Sequence, residues 1–214
     1  MITLSFWDEV DSRLSRWDVT AHPFYRRWAG GELTADELAA YVSEYEHTVV
    51  ATGTAWRRVA DLDGGGFESE AAAAEADLRR WHRFAKHAGW GGRSAWLYAE
   101  DPLPTTVECA ETWAGGEGKS LVEHLVSLYA IEGLCTTVSR VKLAGALEHY
   151  GFVDGEATEY FWGNVGFAAD RKVRRAVEGY ALGADPDALL DQVDEVLRAY
   201  WSLLDGVAAL AVTG

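Results

Sequence analysis

Apolar residues recur at three- and four-residue intervals along most of this 214-residue chain, and the runs are separated by Gly, Pro or capping residues. No convincing alternating strand pattern interrupts them. The first run covers Leu4 to Val19. Thr34-Ala35-Asp36-Glu37 has the form of a capping box, a hydroxyl followed three residues later by a carboxylate, and predicts a helix from there toward Asp61. Gly64-Gly65-Gly66 breaks the chain, and Glu68 to Ala88, with its helix-favouring Ala71 to Ala74 run, reads as a second long helix stopped by Gly89. Two of the four prolines and several glycines fall between Gly91 and Gly118, which predicts a crossover containing one short helix. Ser120 to Tyr150 is the longest periodic run and ends at Gly151; Glu156 to Tyr180 follows. Gly183-Ala184-Asp185-Pro186 then makes a turn, with proline near the first position of a helix over Asp187 to Ala209. The pattern predicts an all-α protein, a single domain over residues 1–214 folded as one bundle of about seven helices.

Composition narrows the functional classes. A formal charge of −15 repels polyanions, so nucleic acid is not an expected partner. The longest apolar stretch noted, Val207 to Val212, is far shorter than a bilayer crossing, and Met1-Ile2-Thr3 carries no basic region ahead of an apolar one, so neither a membrane nor export is expected. Cys109 and Cys135 are too few for a disulfide scaffold and lie in no zinc-like spacing, which fits a reducing cytoplasm. Ten tryptophans and nine tyrosines supply packing mass for helix interfaces, and several of them are candidates for an aromatic pocket.

Several motifs, in order along nearly the whole chain, carry a family resemblance. They are His22-Pro23-Phe24-Tyr25 with Trp28, Gly31-Glu32-Leu33-Thr34 and Tyr41; Leu78-Arg79-Arg80-Trp81 through Phe84; the run Ser127 to Gly133; Lys142 with Gly145; Tyr150-Gly151-Phe152; and Tyr160-Phe161. The chain resembles the heme-oxygenase-like superfamily of thiaminase-II-like and pyrroloquinoline-quinone-synthase-like proteins. It is most similar there to the diiron oxidases and the para-aminobenzoate-forming self-sacrificing oxygenases. The resemblance implies a helical small-molecule enzyme and a ligand set that can be compared position by position. A Glu and, seven residues on, a His fall on Glu70 and Asp77; the Glu of a Tyr-x-x-Glu motif falls on Glu132, after Tyr129. The final His-x-x-x-Asp-x-x-His falls on Asn164, Ala168 and Arg171, or, slid by two, on Gly166, Asp170 and Val173. Under either register the family histidines are missing, and none of His47, His82, His87 or His124 obviously replaces them.

Offsets of seven, or of four then seven, return to one side of a helix, so Glu70, Asp77, Glu132, Asn164 and Arg171 are expected to face one cavity. Arginine stays protonated and cannot ligate a metal; Arg171 is expected instead to compensate the three carboxylates. The expectation is therefore a metal-free polar site with Glu132, Arg171, Asp77, Glu70 and Lys142 as catalytic candidates. No cofactor is expected. The alternative keeps iron, held by Glu70, Asp77 and Glu132, and a further alternative is a non-catalytic binding protein.

Tyr25, Tyr41 and Lys142 match functional positions of the para-aminobenzoate-forming branch, where a protein tyrosine is consumed and a lysine is linked to the nitrogen. The residues alone also allow aromatic packing for the tyrosines and an ion-paired or desolvated amine for Lys142. His22 and His47 are candidate acid/base or hydrogen-bonding groups near the pocket, while Thr136 and Ser139, four and seven residues after Glu132, share its expected face with Tyr129 as substrate contacts. Cys135 lies where thiaminase-II-like members invite comparison, but Gly133-Leu134-Cys135-Thr136-Thr137 does not reproduce their motif and reads as core. A small-molecule substrate is the expected partner, and a homodimer the expected assembly.

Overall fold

The computed structural model describes residues 4–88, 101–166 and 170–210. Among the described residues the helices are α1 (Leu4–Arg16), a single 3-10 turn (Val19–Ala21), α2 (Pro23–Ala29), α3 (Ala35–Leu62), α4 (Glu68–His87), α5 (Pro104–Ala114), α6 (Leu121–His149), α7 (Glu159–Asn164), α8 (Asp170–Tyr180) and α9 (Pro186–Leu210), and there is no strand. The all-α expectation holds. The stop expected at Gly89 and much of the crossover expected after Gly91 lie outside the described residues.

Local chemistry sets most boundaries. Thr34 Oγ1 accepts from the Glu37 amide at 3.2 Å while the Glu37 carboxylate accepts from the Thr34 amide at 2.8 Å, so the capping box starts α3 where the sequence places it. Ser120 and Glu123 make the same reciprocal pair at α6. Two differences from the sequence expectation arise. The first helix stops at Arg16, because Asp18 caps a separate turn by accepting from the Thr20 amide at 3.0 Å, and His22 then caps α2. The single helix expected over 156–180 is divided into α7 and α8: Gly163 and Gly166 weaken the helix around Asn164, whose side chain donates to the Tyr160 carbonyl at 2.8 Å. These additional short elements explain why about seven expected helices become nine among the described residues.

Helix α3 packs along α4 and α5, α9 lies against α5 and α6, and α6 carries α7 and α8 on its other flank. Helix α6 is long and apolar enough to cross a bilayer, but 67% of its most apolar window is buried inside the bundle, as expected of a central core helix. Trp7, Trp28, Trp81 and Trp113 are fully buried. Three of these donate to carbonyls of neighbouring helices, Trp28 to Lys142, Trp81 to Val42 and Trp113 to Val196, each at 3.2 Å.

Gly145 makes the Trp28 contact possible: a Cβ there would stand 2.6 Å from Trp28 Cδ1 and 3.0 Å from the Trp28 carbonyl oxygen. Gly145→Ala gains about 0.5–1 kcal/mol of helix propensity but overpacks a rigid ring, at a typical cost of about 1–3 kcal/mol. We expect a net loss of stability, read as a lower urea midpoint at unchanged slope; a raised midpoint would show that the Trp28 contact relaxes without cost.

Candidate functional site

Helices α3, α4, α6 and α7 enclose a cavity of about 20 Å³, room for one water-sized group. Its polar walls come from Thr48 and Thr52 of α3, Asp77 of α4, Glu132 of α6, and Tyr160 and Asn164 of α7. Glu132 accepts from Trp56 Nε1 at 2.8 Å. Burial drives its carboxyl up to about 7, the Trp56 bond pulling it down and the nearby Asp77 charge adding to the rise. Asp77 is also raised by burial, in spite of the Arg80 guanidinium 2.5 Å from its carboxylate and the Asn164 amide beside it.

A second cluster lies behind this cavity. Tyr25, Tyr41 and Tyr200 bring their hydroxyls together: Tyr41 OH is 2.9 Å from Tyr25 OH and 3.1 Å from Tyr200 OH, and Tyr25 and Tyr200 share a short bond. Lys142 is fully buried among these rings, its Nζ 3.5 Å from the Tyr45 centroid and 5.0 Å from that of Tyr41, with no hydrogen-bond partner among the described residues. The ring faces favour a cation, but desolvation without a carboxylate partner is larger and holds the amine well below the usual lysine range. Tyr45 joins the two clusters, for its ring carries Lys142 while its hydroxyl accepts from Tyr160 at 3.3 Å and meets Cys135 Sγ at 3.7 Å. The Cys135 thiol, buried and beside Glu132, is pushed up to about 12 and is a poor nucleophile at neutral pH.

The structure brings Glu132, Asp77 and Asn164 to one cavity, and Tyr25, Tyr41 and Lys142 to the cluster behind it. Other expected residues lie elsewhere. Arg171 is exposed and does not compensate the carboxylates; its neighbour Lys172 turns inward over the Phe67 ring and binds both oxygens of Glu70 at 2.7 Å. That ion pair takes Glu70 out of the cavity lining. Tyr129 donates to Asp11 at 3.1 Å and contacts Arg174 on the α1 and α8 side, so Tyr-x-x-Glu spacing does not put both its side chains in one pocket. His22 is a structural residue, its Nδ1 accepting from the Phe24 amide and its Nε2 3.1 Å from Asp205. His47 is exposed on α3, and Thr136 and Ser139 are outside the cavity lining. Ala168 lies outside the described residues.

Comparison with known proteins places this geometry. No protein-family model matches the chain. It is 26% identical over 221 residues to a 4-aminobenzoate synthase of Chlamydia muridarum, covering 95% of this chain and 90% of that protein. It is 25% identical over 210 residues to a pyrroloquinoline-quinone synthase of Rhizobium meliloti, covering 84% and 79%. A TenA homologue from Pseudomonas syringae superposes with a TM-score of 0.73 at 12% identity, over 96% of this chain and 91% of that one. A Shewanella denitrificans domain with a heme oxygenase-like fold superposes at 0.65 and 17% identity, over 98% and 93%. The fold is heme-oxygenase-like. The matched relatives within this superfamily bear the names of biosynthetic enzymes.

The side chains of this heme-oxygenase-like bundle do not fit the two-iron centre that its resemblance to the diiron oxidases implies. Lys172 occupies both oxygens of Glu70, Arg80 engages Asp77, Asn164 donates to a carbonyl, and Arg171 points to solvent. Among the described residues no group of three or more His, Cys, Asp or Glu comes together as a ligand set. Sequence reasoning missed Trp56, Tyr45, Tyr160 and Tyr200 as site residues. Only the fourth-residue spacing of Tyr41 and Tyr45 on one helix could have pointed to any of them.

Because Lys142 is depressed in the folded state and protonated when unfolded, folding releases its proton, and the group adds stability as pH rises from the folded value toward 10.5. Lys142→Met removes that slope. Its stability relative to the wild type is therefore expected to be greatest in acid and to shrink toward pH 10, as read by urea unfolding across the range; parallel curves would mean that Lys142 finds water or a counter-ion.

Proposed function

We propose that the protein is a small-molecule biosynthetic enzyme working by acid/base chemistry at the Glu132 cavity without a metal. One observation carries this reading: a half-buried cavity carboxyl with one neutral donor and, among the described residues, no cationic partner, set at about 7. A group poised there both takes and returns a proton at neutral pH, which can contribute roughly 10²–10⁴-fold to a rate. Trp56 fixes one oxygen of Glu132 and leaves the other without a bond partner among the described residues, while Asp77, paired with Arg80, lines the same cavity. The reacting end of a substrate enters the cavity and exchanges its proton with the free Glu132 oxygen. Cyclisation, isomerisation, elimination and cofactorless oxidation are the reactions such a site serves. The names of the 4-aminobenzoate and pyrroloquinoline-quinone synthases support the biosynthetic setting.

The Lys142 cluster favours a second reading, formation of 4-aminobenzoate as in the relatives so named. Its basis is the meeting of Tyr25, Tyr41 and the unpaired amine in one buried space. Growth of a 4-aminobenzoate-requiring bacterial host on this gene, lost with Lys142→Arg, would select this reading over the first.

The leading reading is tested by carbon-13 NMR of glutamate-labelled protein together with bound-metal analysis after growth in iron-rich medium. We expect one glutamate titrating near 7, absent from Glu132→Gln, and far less than one iron per chain. A raised carboxyl pKa costs stability as pH climbs from the ordinary glutamate value through about 7, so Glu132→Gln should gain on the wild type over that window. Ordinary titration of Glu132, or one to two tightly held irons, would overturn the proposal.

A further inference from the structure

The cavity differs from an ordinary polar pocket in the direction of its hydrogen bonds. Thr52 Oγ1 donates to the Thr48 carbonyl at 2.9 Å, and Thr48 Oγ1 to the Tyr45 carbonyl at 2.7 Å. Asn164 Nδ2 donates to the Tyr160 carbonyl at 2.8 Å and its amide also bonds Asp77. Tyr160 OH donates to Tyr45 OH at 3.3 Å, and Tyr45 OH and Cys135 Sγ share a bond at 3.7 Å. The oxygen- and nitrogen-bound protons of the lining are thus spent on the protein itself. What the lining leaves unpaired is mostly acceptor: the second oxygens of Glu132 and Asp77, the Asn164 carbonyl oxygen and the lone pairs of the two threonines, with the Cys135 thiol as a weak donor.

Charge accounting reaches the same ligand independently. Arg80 balances Asp77 and Lys172 balances Glu70, whereas among the described residues no ion pair reaches Glu132. One negative charge is left for one positive charge. The space holds a group of water size.

We infer that this cavity is a binding site for an ammonium group, either the free ammonium ion or the head of a small primary amine. Three or four N–H donors and one charge on a body of water size answer the acceptor-rich wall, the single uncompensated carboxylate and the volume together. An anion meets mostly lone pairs there, and among the described residues a metal ion lacks its ligand set. The inference names the substrate class of the site proposed above and rests on that reading. In that setting the ammonium group gives a proton to Glu132 and becomes a nucleophilic amine, with the carboxylate as the proton's acceptor and no redox change.

Ammonium chloride is titrated into the purified protein at pH 8, where Glu132 is ionised, with heat and the labelled Glu132 signal as readouts. Methylammonium, potassium and sodium chlorides are titrated at matched ionic strength. We expect ammonium to bind at least tenfold more tightly than potassium, and binding to fall at least tenfold in Glu132→Gln. Methylammonium binding as well identifies an amine head with its tail directed outward, and ammonium alone identifies the free ion; both support the inference. Should Glu132→Gln fail to fold, the wild type at pH 5.5 serves the same purpose, since protonating Glu132, with Asp77, Cys135 and Tyr160 the titratable groups around it, removes the site's charge. Equal potassium and ammonium affinity would reveal an alkali-cation site, and no cation uptake a water-filled space, and either overturns the inference. These results are distinct from the Glu132 titration, which can remain near 7 while ammonium fails to bind.

Discussion

The structure depends on burying ionisable groups in one apolar helix without giving them counter-ions. Helix α6 runs through the centre of the bundle and carries Glu132 and Lys142 into places where Trp56, Tyr45 and Tyr41 stand instead of opposite charges. An isolated charge in such surroundings is expensive, and the cheaper outcome is a shift in proton affinity toward the neutral form. The carboxyl is accordingly raised and the amine lowered. Glu132 ends up near the point where neutral water can change its state and Lys142 is displaced toward its neutral form, both of which a salt bridge between them would have prevented.

The aromatic residues make this arrangement mechanically possible. Trp28, Trp81 and Trp113 lock neighbouring helices through indole bonds to carbonyls, and the tyrosines of α2, α3, α7 and α9 turn their hydroxyls toward one another. A core of aliphatic residues would fill the same volume but supply no polar tips. Tyr45 occupies the join, presenting a ring to Lys142 and a hydroxyl to Tyr160 and Cys135, so the inner cluster and the outer cavity share a wall.

The residues that the family resemblance singles out make ordinary contacts within the protein. Glu70 ties α4 to α8 through Lys172, Asp77 holds Arg80 within α4, and Asn164 stays bonded to the backbone of α7. Among the described residues Glu132 has no ion pair of this kind; its donor is the neutral indole of Trp56.

Periodicity, capping boxes and glycine breaks were enough to determine the helical class, the two capped long helices at Thr34 and Ser120, and the start of the last helix at Pro186, because these depend on residues a few positions apart. Motif order along the chain likewise marked Glu132, Asp77, Asn164 and Lys142 as candidate residues. Tertiary structure alone decided their partners. Arg171 and Lys172 are adjacent, and which of them turned inward depended on how α8 sat against α6; Tyr129 and Glu132 are three apart on α6, yet face different neighbours because the helix is enclosed on all sides. Trp56 reaches Glu132 across 76 positions of sequence, and no local spacing encodes such a contact. Helices are written in short-range chemistry, whereas the proton affinity of a buried side chain is set by whatever distant residues the fold packs around it.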